Sequence, residues 1–240
     1  MEEKAKQILL RGTEELGISL NVFQVKQFDM FLNNLKFFNR KINLTSITED
    51  EDIVKKHFLD SLSIVKTGLI KPNQQIIDIG AGAGFPGLPL KIAIPGIELV
   101  LLESNNKKTL FLDIMTKKLS LQGVSIVNDR AELFGQGIGR EKFDIALGRA
   151  ISKLSVLIEY AIPLLRKDGY LLAMKSKTEE KEVQGAKKAC EIINCEIEKT
   201  LDLKTPELDA KRTVHIIKKT WGTPKQYPRR PGMPAKKPLG

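Results

Sequence analysis

Residues 78–90 read DIGAGAGFPGLPL, an acid followed by glycines at 80, 82 and 84, directly after the apolar pair Ile76–Ile77. Glycines at alternate positions let the chain turn sharply and bring backbone N–H groups against a ligand. Glu103 follows at the spacing where an acidic side chain accepts hydrogen bonds from both hydroxyls of a ribose. The implied chemistry is nucleoside binding, and two registers compete for it. Gly82, Gly84 and Gly87 match the dinucleotide pattern G-x-G-x-x-G, but that register starts late relative to the strand end and sets Phe85 and Pro86 where a pyrophosphate must pass. In the other register Asp78 stands just before Gly80, Gly82 and Gly84. A carboxylate there repels a diphosphate and suits a cationic, zwitterionic nucleoside such as S-adenosylmethionine. Glycines serving only a close strand-to-helix packing would leave the acid at 103 unexplained.

The elements around these residues must put the turn at the edge of a sheet. Short apolar strands at 75–80, 97–103, 124–128, 143–148 and 169–175 alternate with helical stretches, the pattern of a parallel α/β sheet covered on both faces. Two more strands, 196–203 and 213–219, are joined by KTPELDAKR without a convincing helix, which predicts an antiparallel end. Pro86 is placed to open the first helix. Residues 1–70 read as helical: Asn21 with Gln24, and Thr48 with Glu51, have the spacing of a capping box. Val25, Phe28, Phe31, Leu32, Leu35 and Phe38 recur at three and four, as do Val54, Phe58, Leu62 and Val65. RKINLTSI reads as the loop between these two amphipathic helices. The expected division is a helical cap over 1–70, a sheet domain over 71–219 and a basic, proline-rich arm over 220–240.

Charge points to a partner. The chain of 240 residues has a formal net charge of +10, and residues 218–240 (KKTWGTPKQYPRRPGMPAKKPLG) hold seven bases and no acid, leaving the rest at only +3. Such a segment, carrying Trp221 and Tyr227, suits a nucleic acid, since cations release counterions from phosphates and aromatic rings stack on bases. No stretch approaches the roughly 18 uncharged apolar residues of a membrane span. The start MEEKAKQILL mixes acids and bases, unlike a secretory signal, so a cytoplasmic protein is expected. Cys190, Cys195 and two histidines supply no zinc ligand set; no metal is expected and the cysteines read as reduced thiols. His57 and Asp60, with Ser61 beside them, share one helix face, read as packing the N-terminal helices against the sheet or docking RNA rather than as a general base.

Three later segments resemble those of class I methyltransferases: RAELF (130–134), FDIALGRA (143–150) and PLLRKDGYLLAMK (163–175). The ordered set NLTSI (43–47), HFLDS (57–61), DIGAGAGFPGLPL, LLES with NNKK (101–108), Ala131–Glu132, Arg149–Ala150 and the tail from Trp221 closely resembles one family. It is that of the bacterial 16S ribosomal RNA guanine-N7 methyltransferases, the small-subunit methyltransferase G family, also called glucose-inhibited division protein B. The resemblance implies a Rossmann-like, seven-stranded, mostly parallel sheet behind an N-terminal helical cap. It also implies S-adenosylmethionine as donor and one guanine of the small-subunit RNA as acceptor. By position the donor site comprises Gly80 and Phe85, with Asp78, Gly82 and Gly84 of the same turn, then Glu103 and Ser104, Ala131 and Glu132, and Arg149. Many members carry Asp where this chain has Glu103; either carboxylate accepts ribose hydroxyls. Guanine N7 has an exposed lone pair and no proton, so positioning replaces a base and no catalytic residue is expected. RNA contacts are expected from Arg40, Lys41, Arg149, Lys175, Arg212, Arg229 and Arg230, in a monomer acting on 16S rRNA or the small subunit. Another RNA or a protein as acceptor, a nicotinamide oxidoreductase, and a non-catalytic RNA-binding module stay open as alternatives.

Overall fold

A computed structural model describes residues 1–149, 152–176, 180–208 and 211–240, the side chain of Lys211 excepted. Seven strands form one sheet in the order β3-β2-β1-β4-β5-β7-β6. They are β1 (Gln75–Ile79), β2 (Glu98–Leu102), β3 (Val124–Val127), β4 (Phe143–Arg149), β5 (Leu165–Lys175), β6 (Cys195–Lys204) and β7 (Lys211–Lys219). The first five run parallel and β7 is antiparallel to both β5 and β6, as the helix-free connection predicted. Asp209 and Ala210 of that connection, and Ala150 of the Arg149–Ala150 pair, lie outside the described residues.

Register decides what meets at the sheet edge. Ile79 pairs with Leu102 on one side and Gly148 on the other, and Leu102 pairs with Val127. The carboxyl ends of the first four strands in space therefore finish level, bringing Gly80, Glu103 and Arg149 side by side. Strand order reverses between β1 and β4, the place where open α/β sheets bind ligands.

Alternation along each strand feeds two cores. Ile76, Leu99, Leu101, Ile145, Leu147 and Leu172 face a layer of α1 (Glu3–Glu15), α2 (Val22–Ile42), α3 (Asp50–Ile53), α4 (Asp60–Leu62), α5 (Gly87–Ala93) and α6 (Asn106–Lys118). Ile77, Ile79, Ala146, Leu171, Ala173 and Ile217 face α7 (Ala131–Gln136), α8 (Leu154–Ala161) and α9 (Glu180–Ile193). Residues 1–70 thus share one apolar cluster with the sheet, and the boundary near 70 is a change of element type within that cluster. Phe28, Phe31 and Phe58 are fully buried there, each contributing about 1.5–3 kcal/mol by leaving water.

The capping box at Asn21 forms: Asn21 Oδ1 accepts from the Gln24 amide and Gln24 Oε1 from the Asn21 amide, both at 2.9 Å. Gln24 Nε2 also donates to Ile92 O at 2.7 Å and Gln27 Nε2 to Leu119 O at 2.6 Å, pinning α2 to α5 and to the end of α6. The box expected at Thr48 does not form. Helix α3 starts after Glu49 without a side-chain cap, because Glu51 is drawn to Lys4 at 2.6 Å and Lys55 at 3.3 Å. From α3 the chain runs on through a π-helical stretch, Val54–Leu59, into α4 and a 3-10 turn, Ser63–Thr67. Arg40 and Lys41, expected in a loop, close the last turn of α2, whose carbonyls favour cations.

Candidate donor site and the motif cluster behind it

The glycine turn leaves β1 with Gly80, Gly82 and Gly84 at φ of 62°, 58° and 90°, a left-handed backbone that favours glycine at each. A Cβ at Gly82 would have only Gly80 O within reach, at 3.7 Å, so the turn opens a cradle in front of the strand ends. Glu103, nearly buried, braces it: Oε2 accepts from the Gly82 amide at 2.9 Å and Oε1 from the Asn105 amide at 2.8 Å. Each oxygen keeps a lone pair for a further donor. Asp78 lies beneath the turn, fully buried; Oδ2 accepts from the Gly87 amide at 2.9 Å while Oδ1 has no partner. Burial pushes its carboxyl up to about 7, against the pull of the Gly87 amide and of Arg149.

A cleft of about 150 Å³ opens at these strand ends, lined by Ile79, Gly80, Leu102, Ser104, Asp129, Arg130, Ala131, Glu132 and Tyr160. Gly80, Ser104, Ala131 and Glu132 were anticipated in the donor site from the sequence; Asp129, Arg130 and Tyr160 were not. The first two could have been found from their place after β3. Tyr160 comes from α8, far along the chain, and no local pattern marks it. A roomier groove of 460 Å³ between α1 and α2 carries none of these residues and lies away from the strand ends.

Phe85 and Arg149 belong to a cluster that joins three distant motifs. The Phe85 ring stacks on His57 with centroids 4.6 Å apart and on Phe31 at 5.3 Å. Arg149 stands over the same ring at 5.9 Å, donates to Lys56 O at 2.6 Å, and sets Nη2 2.8 Å from Asp60 Oδ2. That last contact is an ion pair without hydrogen-bond geometry, Nη2 being directed at Lys56 O. Arg212 Nε donates to the other oxygen of Asp60, which is fully buried, and Thr205 Oγ1 adds a third contact at 3.3 Å. His57 Nε2 lies 2.8 Å from Thr45 Oγ1, and burial, with Arg149 nearby, pulls its pKa down to about 4. The ring is neutral at physiological pH and serves packing.

Ion pairing sorts the cations expected to meet RNA. Arg149 and Arg212 are committed to Asp60, Lys175 to Glu182 at 2.8 Å, and Arg229 to the buried Glu159 at 2.6 Å. Arg40, Lys41 and Arg230 are exposed, and none has an ion-pair partner among the described residues. Lys41 caps the exposed Phe37 ring at 5.2 Å. Nor do residues 220–240 extend as a free arm. They fold back on α7 and α8, with Arg140 donating to Thr223 O at 2.7 Å and Tyr227 O at 2.8 Å, and end in α10 (Met233–Lys236). Its prolines, which disfavour both helix and sheet, let this segment follow the surface. Among the described residues no group of three His, Cys, Asp or Glu side chains is arranged to hold a metal.

A glycine turn and an acid at the level carboxyl ends of a 3-2-1-4-5-7-6 sheet define a class I methyltransferase. A SAM-dependent methyltransferase from Aquifex aeolicus shares this fold with a TM-score of 0.53 over 70% of this chain and 93% of its own, at 13% identity. The chain belongs to the rRNA small subunit methyltransferase G family, whose model matches residues 24–213. It is 45% identical to the ribosomal RNA small subunit methyltransferase G of Caldanaerobacter subterraneus subsp. tengcongensis, with both chains covered in full. The Bacillus subtilis protein of the same name is 41% identical, over 95% of this chain and 96% of its own.

Proposed function

We propose that this protein transfers a methyl group from S-adenosylmethionine to N7 of one guanine in 16S rRNA, as a monomer in the cytoplasm. The observation that carries the reading is the Glu103 carboxylate, held between two backbone amides at the mouth of the glycine cradle with lone pairs to spare. The residues present fit the donor: Glu103 for its ribose, Gly80, Gly82 and Gly84 for its amino-acid portion, and Ser104, Asp129, Ala131, Glu132 and Tyr160 around its base. Asp78 offers a buried carboxylate with one unpartnered oxygen beneath the cradle, an environment that favours a cation over a pyrophosphate. Bound there, S-adenosylmethionine supplies an electrophilic methyl group.

The remaining work is positional. Guanine N7 needs no deprotonation, so His57, neutral and stacked on Phe85, is left a packing role and no acid–base one. Phe85 and Arg149 fix the wall between the cradle and the N-terminal layer, and of the seven cations expected at RNA, Arg40, Lys41 and Arg230 are those left for phosphates. Mapping of methylated positions after incubation with labelled donor, on naked 16S RNA and on small subunits, tests the reading. One N7-methylguanine is expected, with Glu103→Gln weakening S-adenosylhomocysteine binding about tenfold, or about 1.4 kcal/mol. Label on another RNA, or none, would sink it.

A further inference from the structure

Two side chains of the donor cleft, Glu132 and Tyr160, stand on elements that the C-terminal segment braces. Helix α7 has six residues, too few to be stable alone. Glu132, nearly buried, accepts from the Gly232 amide at 2.8 Å. One turn further, Gln136 Nε2 donates to Pro228 O at 2.8 Å, and Pro228 packs against Gly135, whose added Cβ would lie 3.2 Å from the proline ring. On α8, Tyr160 follows Glu159, a fully buried acid that takes the amide, Nε and Nη2 of Arg229 at 2.9, 2.8 and 2.6 Å. Arg229 is its sole ion-pair partner among the described residues. The two acids lie close enough to Tyr160 that, after burial, both raise its pKa.

We infer that residues 228–232 are positioning residues for the donor: through Glu132 and Glu159 they set the wall of the cleft that the glycine turn leaves open. The inference rests on the donor reading above and deepens it. The family match ends at residue 213, so this contribution comes from a segment beyond that match. The same stretch presents Arg230 to solvent, so a single piece of chain touches the donor cleft on one side and is free to meet RNA on the other. Any effect of RNA held by Arg230 on donor affinity through this segment would be matched by an equal effect of the donor on RNA affinity.

Calorimetry with S-adenosylhomocysteine tests it on the full chain, on a chain ending at Thr220, and on Arg229→Met/Glu159→Leu. The double variant removes the clamp without leaving a buried charge unpaired. Both altered chains are expected to bind at least about tenfold more weakly, and a synthetic peptide of residues 221–240 should restore affinity to the shortened one. In turnover, the double variant raises KM for the donor more than KM for RNA. Should the shortened chain fail to fold, the double variant decides, its fold checked by circular dichroism. Unchanged affinity in the folded double variant overturns the inference. Failure of the unaltered protein to bind S-adenosylhomocysteine would instead defeat the donor reading, so the two failures are distinguishable.

Discussion

Asp60 and His57 sit one helical turn apart and meet opposite electrostatic fates. Asp60 is fully buried between Arg149 and Arg212, so removing its charge leaves two guanidiniums facing each other across a dry site. His57 is buried beside the same Arg149 and must stay neutral, its pKa held near 4 against an ordinary value of 6.5. A histidine with a depressed folded pKa contributes stability above the unfolded value and loses it as pH falls toward the folded one. The protein should therefore lose about 2 kcal/mol between pH 7 and pH 5 from this group alone. His57→Phe keeps a ring against Phe85 and cannot charge, so denaturant melts over that range should flatten in the variant; an unchanged pH slope would show that His57 is not the group responsible. Sequence could mark the pair as sharing a face. It could not reveal their partners, since Arg149 and Arg212 lie 89 and 152 residues downstream of Asp60.

At the level of elements, the turn between β1 and α5 joins the proposed donor site to packing. Gly87 opens α5 with its amide on Asp78, and an added Cβ there would lie 2.8 Å from both Asp78 Oδ2 and Leu101 Cδ2. Both neighbours are fully buried and have no room to yield. Gly87→Ala should destabilise by about 1–3 kcal/mol in urea unfolding and weaken S-adenosylhomocysteine binding as well, because the helix start and the cradle move together. Loss of stability with intact affinity would separate them. This element was readable beforehand because its signals are close in sequence: an apolar strand end, glycines at alternate positions and an acid one strand later. The capping box at Asn21 was readable for the same reason. The one at Thr48 failed because Lys4, from another helix, competes for Glu51, and nothing near residue 51 announces it.

Over the whole molecule, the net charge of +10 already counts every carboxylate, so ion pairing decides where the surplus sits and not how large it is. Four of the seven cations expected at RNA are spent on internal carboxylates, each pair joining elements that composition cannot relate. The uncommitted ones should govern salt dependence. Arg40→Gln/Lys41→Gln is expected to lower the slope of log affinity against log salt by about 2, while Arg212→Gln leaves the slope alone and lowers the melting temperature. Filter binding across a salt series checks both; a flattened slope for Arg212→Gln would return it to the RNA surface. Fold class and the antiparallel end of the sheet were legible because short apolar strands replace amphipathic helices from residue 75 on, whereas the strand order and the single core uniting residues 1–70 with the sheet were not, since amphipathic helices do not say what they cover. That shared core governs how the chain matures during synthesis. The acid at 60 emerges from the ribosome long before either arginine that neutralises it, so while α5 and α6 can cover the early helices sooner, the buried carboxylate stays unpaired until residues 149 and 212 are made. A translation product cut short before that point would carry an unsealed layer, recognisable to chaperones and proteases as unfinished.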